Sequence, residues 1–289
     1  MMEQEKMNIQ WYPGHMTKTR RQIEADLKQV DAVCEIVDAR IPMSSINPDI
    51  DAICGTKPRI IVLNRMDLAD PAATKRWAQY FKSKGMAVIA TDCKSRRGIA
   101  DFTPAARTAC AEKIRRDSAR GMNRPIRVMV VGIPNVGKST LINQISGRKG
   151  AKAENRPGVT RGKQWVTVDN SLLLLDTPGI LWPKFEDPEV GMMLAYTGAV
   201  KEDVIDIEEL ACRLMVLLHK YYPQALLERY KVEAEPGTSG YELIQLAGKK
   251  RGYLLARGEI DTERMSKVLI DEFRSGKLGK FTLEMPEEV

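Results

Sequence analysis

Long apolar runs are missing from this chain. No stretch approaches the ~18 residues that a membrane-spanning helix requires, so no membrane partner is expected. Met1 to Gln10 carries Glu3, Glu5 and Lys6 and has no apolar core, so no secretory signal is expected there. It also lacks the Arg- and Ser-rich character of a transit peptide. Cysteines are few: Cys34, Cys54, Cys93, Cys110 and Cys212 are odd in number and scattered, with no pair at metal-ligand spacing. That pattern favours reduced thiols in a cytoplasmic protein over a disulfide framework or a zinc site. Internal repeats and low-complexity tracts are absent. What is present describes an ordinary globular chain of 289 residues, 43% hydrophobic and 29% charged, long enough for two domains. The net charge of +7 is uneven: the positive excess sits in residues 1–200, and residues 201–289 are acidic on balance. A basic face suits a polyanionic partner, RNA first among them, although a generic basic surface would read the same way.

The stretch around which the rest is arranged is Gly132 to Thr140, Gly-Ile-Pro-Asn-Val-Gly-Lys-Ser-Thr, which fits G-x-x-x-x-G-K-[ST]. The apolar, β-branched run Arg127–Val131 before it reads as a buried strand, and Leu141–Ile145 after it reads as a helix ending near Gly147. Strand, glycine loop and helix form a phosphate cradle, in which backbone amides and the helix N-terminus face the anion. Lys138 reaches the β- and γ-phosphates and the Ser139 hydroxyl serves Mg²⁺ in such a loop. Asn135, Val136, Gly137 and Thr140 complete the contact set.

A second strand, Arg59–Leu63, ends in Asn64-Arg65-Met66-Asp67. A carboxylate at Asp67 can accept from the ring N1–H and the exocyclic amine of guanine, which adenine cannot offer together. Asn64 holds the loop and Arg65 lays its side-chain plane along the base; as a bare N-x-x-D pattern the same residues also read as a loop cap. Thr91-Asp92-Cys93-Lys94, after the strand Met86–Ala90, fits a further base-contacting loop only loosely and is left out of the expected site. Downstream, Gly147–Lys163 is glycine-rich and basic and holds Thr160. Leu172–Leu175 is a strand ending in Asp176-Thr177-Pro178-Gly179, where Asp176 suits Mg²⁺ holding and Gly179 offers an amide to the γ-phosphate. Strands alternating with helices predict a mostly parallel sheet covered on both faces, with ligand loops at the strands' C-terminal ends.

With Trp11-Tyr12-Pro13-Gly14-His15-Met16, Asp38-Ala39-Arg40-Ile41-Pro42 and Gly276-Lys277-Leu278-Gly279-Lys280 added to these motifs, the chain resembles the ribosome biogenesis GTPase A (YlqF-type) family of circularly permuted GTPases over nearly its whole length. The base-reading motif precedes the phosphate loop, the reverse of the ordinary order, and Arg65 stands where Lys is usual. The resemblance implies a P-loop GTPase domain at 1–200 and a C-terminal all-α domain at 201–289 that meets RNA or the ribosome. It implies a cytoplasmic GTPase, a monomer when free, that binds GTP and GDP and acts in late assembly of the large ribosomal subunit on its rRNA. Mg²⁺ is then held by Ser139, Thr160 and Asp176, and the catalytic set is His15, Lys138, Thr160 and Gly179.

Ile180 follows the Asp-x-x-Gly motif where many GTPases place a polar, water-orienting side chain, so slow intrinsic turnover, stimulated by the ribosomal subunit, is expected. His15 can supply the missing group, or can be a turn histidine packed near Trp11 and Tyr12. Asn135 has a counterpart in potassium-stimulated GTPases, where it coordinates K⁺; a loop cap is the plain reading. Because residues 180–200 lead directly from Gly179 into the C-terminal region, loss of the γ-phosphate is expected to act on that region. Two rivals stand beside the assembly GTPase: an RNA-binding module whose nucleotide is structural, and a GTPase acting on another RNA.

Overall fold

A computed structural model describes residues 23–147, 164–177, 187–200, 206–256 and 258–286. The described residues fall into two compact units, one of residues 23–177 with 284–286 and the other of residues 187–283.

In the first unit the β-branched, apolar runs form strands because they bury both faces. β1 (Ala32–Asp38) is fully buried along its length. Helix α1 (Pro48–Cys54) follows. β2 (Arg59–Asn64), α2 (Pro71–Ser83) and β3 (Ala87–Thr91) come next. A short 3₁₀ turn at Ile99–Asp101 leads into α3 (Phe102–Ala109), and α4 (Ala111–Ala119) restarts after Cys110. β4 (Ile126–Gly132), α5 (Lys138–Ser146), β5 (Gln164–Asp169) and β6 (Leu172–Asp176) complete the set.

The sheet order is β3-β2-β1-β4-β6-β5. All neighbours are parallel except the edge pair β5–β6, whose antiparallel ladder carries a register shift between Thr167 and Asp169. Successive strands run outward from β1 to β3, and the chain then crosses to β4 on the other side of β1. That reversal is a topological switch point, and an open α/β sheet binds its ligand outside the C-terminal ends of the strands there. The ends of β1 and β4 are Asp38 and Gly132.

Odd-numbered residues of β1, β2 and β4 share one face. There Val33, Met129 and Val131 cluster with Ile23, Leu27, Val30, Ile50, Cys54 and Leu175. Val37, Ile61 and Leu63 cluster with Trp77 and Phe81 of α2. Burying each such side chain contributes about 1.5–3 kcal/mol. α3 packs on β2, β3 and β4, and α5 packs on β4, β5 and β6. α4 buries none of its residues.

The second unit is helical: α6 (Pro188–Tyr196), α7 (Ile207–Tyr221), α8 (Pro223–Tyr230), α9 (Gly240–Arg251) and α10 (Thr262–Ser275). Its helices start where sequence chemistry says they should. Asp187, Asp206 and Asp261 accept from first-turn amides, and Ser239 with Glu242 forms a reciprocal capping box. α7, α9 and α10 pack on one another around Leu214, Leu218, Leu243, Ile244, Leu269 and Phe273, all buried. α6 belongs to this unit, although the expected 200/201 boundary places residues 188–196 in the first domain. It packs on α7 and α10, and Arg274 donates to the carbonyls of Ala195 (2.7 Å) and Tyr196 (3.0 Å) at its C-terminus. Glu272 is the polar hub of the unit: it accepts from Arg229 Nε (2.9 Å), the Tyr230 hydroxyl (2.8 Å) and Arg251 (3.2 Å).

Candidate nucleotide-binding site

The loop between β4 and α5 is built from the backbone outward. Gly132 lies against β1, where an added Cβ would stand 2.8 Å from the Ile36 carbonyl oxygen. Gly137 is the residue before α5 and has φ +100°, in the left-handed region that favours glycine. A Cβ on Gly137 would lie 2.4 Å from Asn64 Nδ2, so both the conformation and the space exclude a side chain. Asn135 is also left-handed, at φ 59°, a conformation its short polar side chain tolerates. Val136 is buried. α5 then begins at Lys138 with Ser139 and Thr140 in its first turn and no acidic residue there, so the free amides of the helix start face an uncancelled positive end.

The loop after β2 reaches this cradle directly. The buried Asn64 donates from Nδ2 to the Val136 carbonyl at 2.7 Å. Its Oδ1 accepts from the Thr91 hydroxyl at 3.1 Å and from the Cys93 amide at 3.3 Å. One amide side chain therefore ties together three loops, those after β2, β3 and β4. Arg65 adds a second tie, donating to the Asn135 carbonyl at 2.5 Å while its Nε sits 3.8 Å from Asp38 Oδ2. Arg65 holds φ 61°, a strained value for a long side chain and one found at functional sites. Asp67 lies in the turn just beyond, half-buried.

The Thr91–Lys94 stretch, set aside on sequence grounds, is part of this assembly. Its contribution is a hydroxyl and a main-chain amide, which leave no mark in a residue pattern. Asp92 folds the turn by accepting from the amides of Lys94 (2.9 Å) and Ser95 (3.2 Å). Burial pushes the Cys93 thiol up to about 11, Asp92 and Asp67 adding to that and the Thr91 contact and Arg65 working against it. Asp38 was also missed as a site residue. Its carboxylate grips Arg40 at Nε (2.9 Å) and Nη2 (2.7 Å), and Arg40 is fully buried. Burial alone would raise the Asp38 carboxyl, but Arg40 and then Arg65 outweigh it and leave it below the ordinary carboxylate value.

At the phosphate end, Lys138 Nζ donates to Asp176 Oδ1 at 2.7 Å, with the two side chains only 6% and 3% exposed. Thr177 fixes the end of β6 by donating to the Val130 carbonyl at 2.7 Å. A hydroxyl at Ser139 and a carboxylate at Asp176 are hard oxygen donors, which suit Mg²⁺ held jointly with phosphates. His15, Thr160, Gly179 and Ile180 lie outside the described residues.

Against known proteins, the 50S ribosome-binding GTPase family (MMR_HSR1) matches residues 127–239. Ribosome biogenesis GTPase A of Bacillus cereus is 47% identical over 283 residues, spanning 98% of this chain and 95% of that protein. The GDP-bound structure of TM YlqF matches with a TM-score of 0.67 at 29% identity, covering 93% of this chain and 100% of that one. GNP-bound YlqF from T. maritima matches with a TM-score of 0.61 at 28% identity, covering 94% and 100%.

Proposed function

The chain belongs to the ribosome biogenesis GTPase A family and is a GTP hydrolase of ribosome assembly; from that premise we propose that it switches on the large ribosomal subunit, binding its rRNA as the GTP form and leaving after hydrolysis. The observation that carries the nucleotide assignment is the 2.7 Å bond from Asn64 to the Val136 carbonyl. It joins the loop after β2, read here as guanine-selecting, to the loop after β4, read as phosphate-gripping, across 72 residues of sequence.

In this reading Asp67 accepts the two guanine N–H donors and Arg65 lies along the base. The amides of residues 135–140 hold the phosphates. Lys138 is held by Asp176 at 2.7 Å, and it turns from that carboxylate to the β- and γ-phosphates when GTP arrives. Ser139, Thr160 and Asp176 would hold Mg²⁺, which would supply positive charge to the phosphates. Asn135 holds K⁺ beside them. His15 orients the attacking water that Ile180 cannot, and the Gly179 amide senses the γ-phosphate. The GTP form works in the cytoplasm as a monomer until it meets the subunit. Sedimentation with isolated subunits tests the whole: the protein should pellet with large and not small subunits, with the GTP analogue and not with GDP. Equal pelleting with both subunits, or with both nucleotides, would sink it. Asp67→Asn should shift preference from GTP towards xanthosine triphosphate, and unchanged selectivity would remove Asp67 from the base site. Turnover equal in KCl and NaCl would remove the K⁺ role. His15→Ala that keeps full subunit-stimulated turnover would remove the histidine.

A further inference from the structure

Glu284 follows the whole C-terminal helical unit in sequence, yet it is packed into the nucleotide unit. Its carboxylate accepts from the Met43 amide (2.8 Å) and the Ser44 amide (3.2 Å), and it also takes the Ser44 hydroxyl. The segment is seated further by α2: the Trp77 indole N–H donates to the Glu284 carbonyl at 2.9 Å, and Arg76 reaches Met285 Sδ at 3.3 Å. Glu284 is half-buried, and the partners that hold its carboxylate are chiefly backbone amides of a loop.

That loop has no secondary structure of its own between β1 and α1, and its remaining bonds lead to the nucleotide site. Ser45 accepts from the Asp38 amide (3.1 Å) and donates to the Ile41 carbonyl (2.7 Å). Asp38 grips Arg40 and stands 3.8 Å from Arg65. Arg65 in turn donates to the Asn135 carbonyl of the phosphate loop. Glu284 is thus linked to Asn135 by hydrogen bonds to residues 43–44, the Ser44–Ser45 peptide bond, the Ser45–Asp38 hydrogen bond, the 3.8 Å Asp38–Arg65 ion pair and the Arg65–Asn135 hydrogen bond.

We propose that Glu284 is a positioning residue for nucleotide binding: it clamps residues 43–44 and thereby holds the Asp38–Arg65 pair at the base end of the crevice. The proposal rests on the nucleotide reading above. It concerns the base end first: among the described residues, residues 43–45 make no hydrogen bond to Gly137 or Lys138, and the series of contacts meets the phosphate loop only through the Arg65 bond to the Asn135 carbonyl.

The test uses the full chain and two ligands. A fluorescent GDP probes base and phosphates together; inorganic pyrophosphate, as its competitor, probes the phosphate end alone. Glu284→Ala should weaken GDP at least about fivefold, the lower end of measured site-to-site coupling, and weaken pyrophosphate by clearly less. Glu284→Gln keeps one acceptor oxygen and should fall between the two. Unchanged GDP affinity in either variant would overturn the proposal. So would equal weakening of GDP and pyrophosphate, the mark of a merely destabilised fold. If Glu284→Ala fails to fold, the Gln variant alone decides by the same comparison. Wild-type protein that binds no GDP would instead overturn the nucleotide reading itself.

Discussion

Replacing Asn64 with alanine strikes the one side chain that joins three loops. The substitution removes a donor to the Val136 carbonyl and an acceptor for the Thr91 hydroxyl and the Cys93 amide. The hydroxyl can turn to another partner, because a rotor is free to re-aim. The Val136 carbonyl and the Cys93 amide cannot turn, and both lie where water enters only if the loops part. Two buried groups left unsatisfied cost about 1–3 kcal/mol each, or roughly 2–6 kcal/mol together. For a unit of this size that lowers the melting temperature by roughly 4–24 °C. Nucleotide binding should suffer too, since Val136 and Gly137 lose their tether just where α5 begins; GDP affinity should fall at least about tenfold, or ~1.4 kcal/mol. Thermal unfolding with and without GDP reads both effects. A variant that melts within about 2 °C of wild type and binds GDP as tightly would refute the claim that Asn64 couples the loops.

The Lys138–Asp176 pair gives a sharper dissociation of fold from activity. Lys138→Ala should destabilise the nucleotide unit by about 3–5 kcal/mol, because it strands a buried carboxylate; the double variant Lys138→Met with Asp176→Leu should recover most of that in urea unfolding while turnover stays lost. A double variant no more stable than the single would count against the pairing. Asp38 sets a pH dependence. Its folded-state value lies below the ordinary one of about 3.9, so its contribution is present above that pH and is lost as pH falls through the depressed value. Asp38→Asn should flatten stability against pH in that acid window, and a parallel profile would contradict the ion-pair account. In the helical unit, Glu272→Ala leaves Arg229, Tyr230 and Arg251 without their shared acceptor and should cost about 2–4 kcal/mol by calorimetry. A loss under about 0.5 kcal/mol would mean that these contacts are too solvated to matter.

The phosphate loop was legible because it is local: its glycines, lysine and hydroxyl lie within nine consecutive residues between a strand and a helix. Asn64 to Asp67 was legible as chemistry at a strand end. Its contact with Val136 was not, since that depends on β1 lying between β2 and β4. Thr91 and Cys93 escaped because they act through a hydroxyl and a main-chain amide. Glu284 escaped because its partners lie some 240 residues away and two of them are backbone amides. The helix at Pro188–Tyr196 was hidden in a stretch read as connector; its apolar residues have meaning only once α7 and α10 are present to cover them.

The position of Glu284 also imposes an order on manufacture. The ribosome that translates this message extrudes β1 to β6 first, then every helix from α6 to α10, and only afterwards the carboxylate that caps Met43 and Ser44. At about 5–20 residues per second the intervening stretch delays that cap by roughly 5–20 s. A polypeptide halted by a premature stop before codon 284 would own a complete phosphate cradle and an uncapped loop beside it.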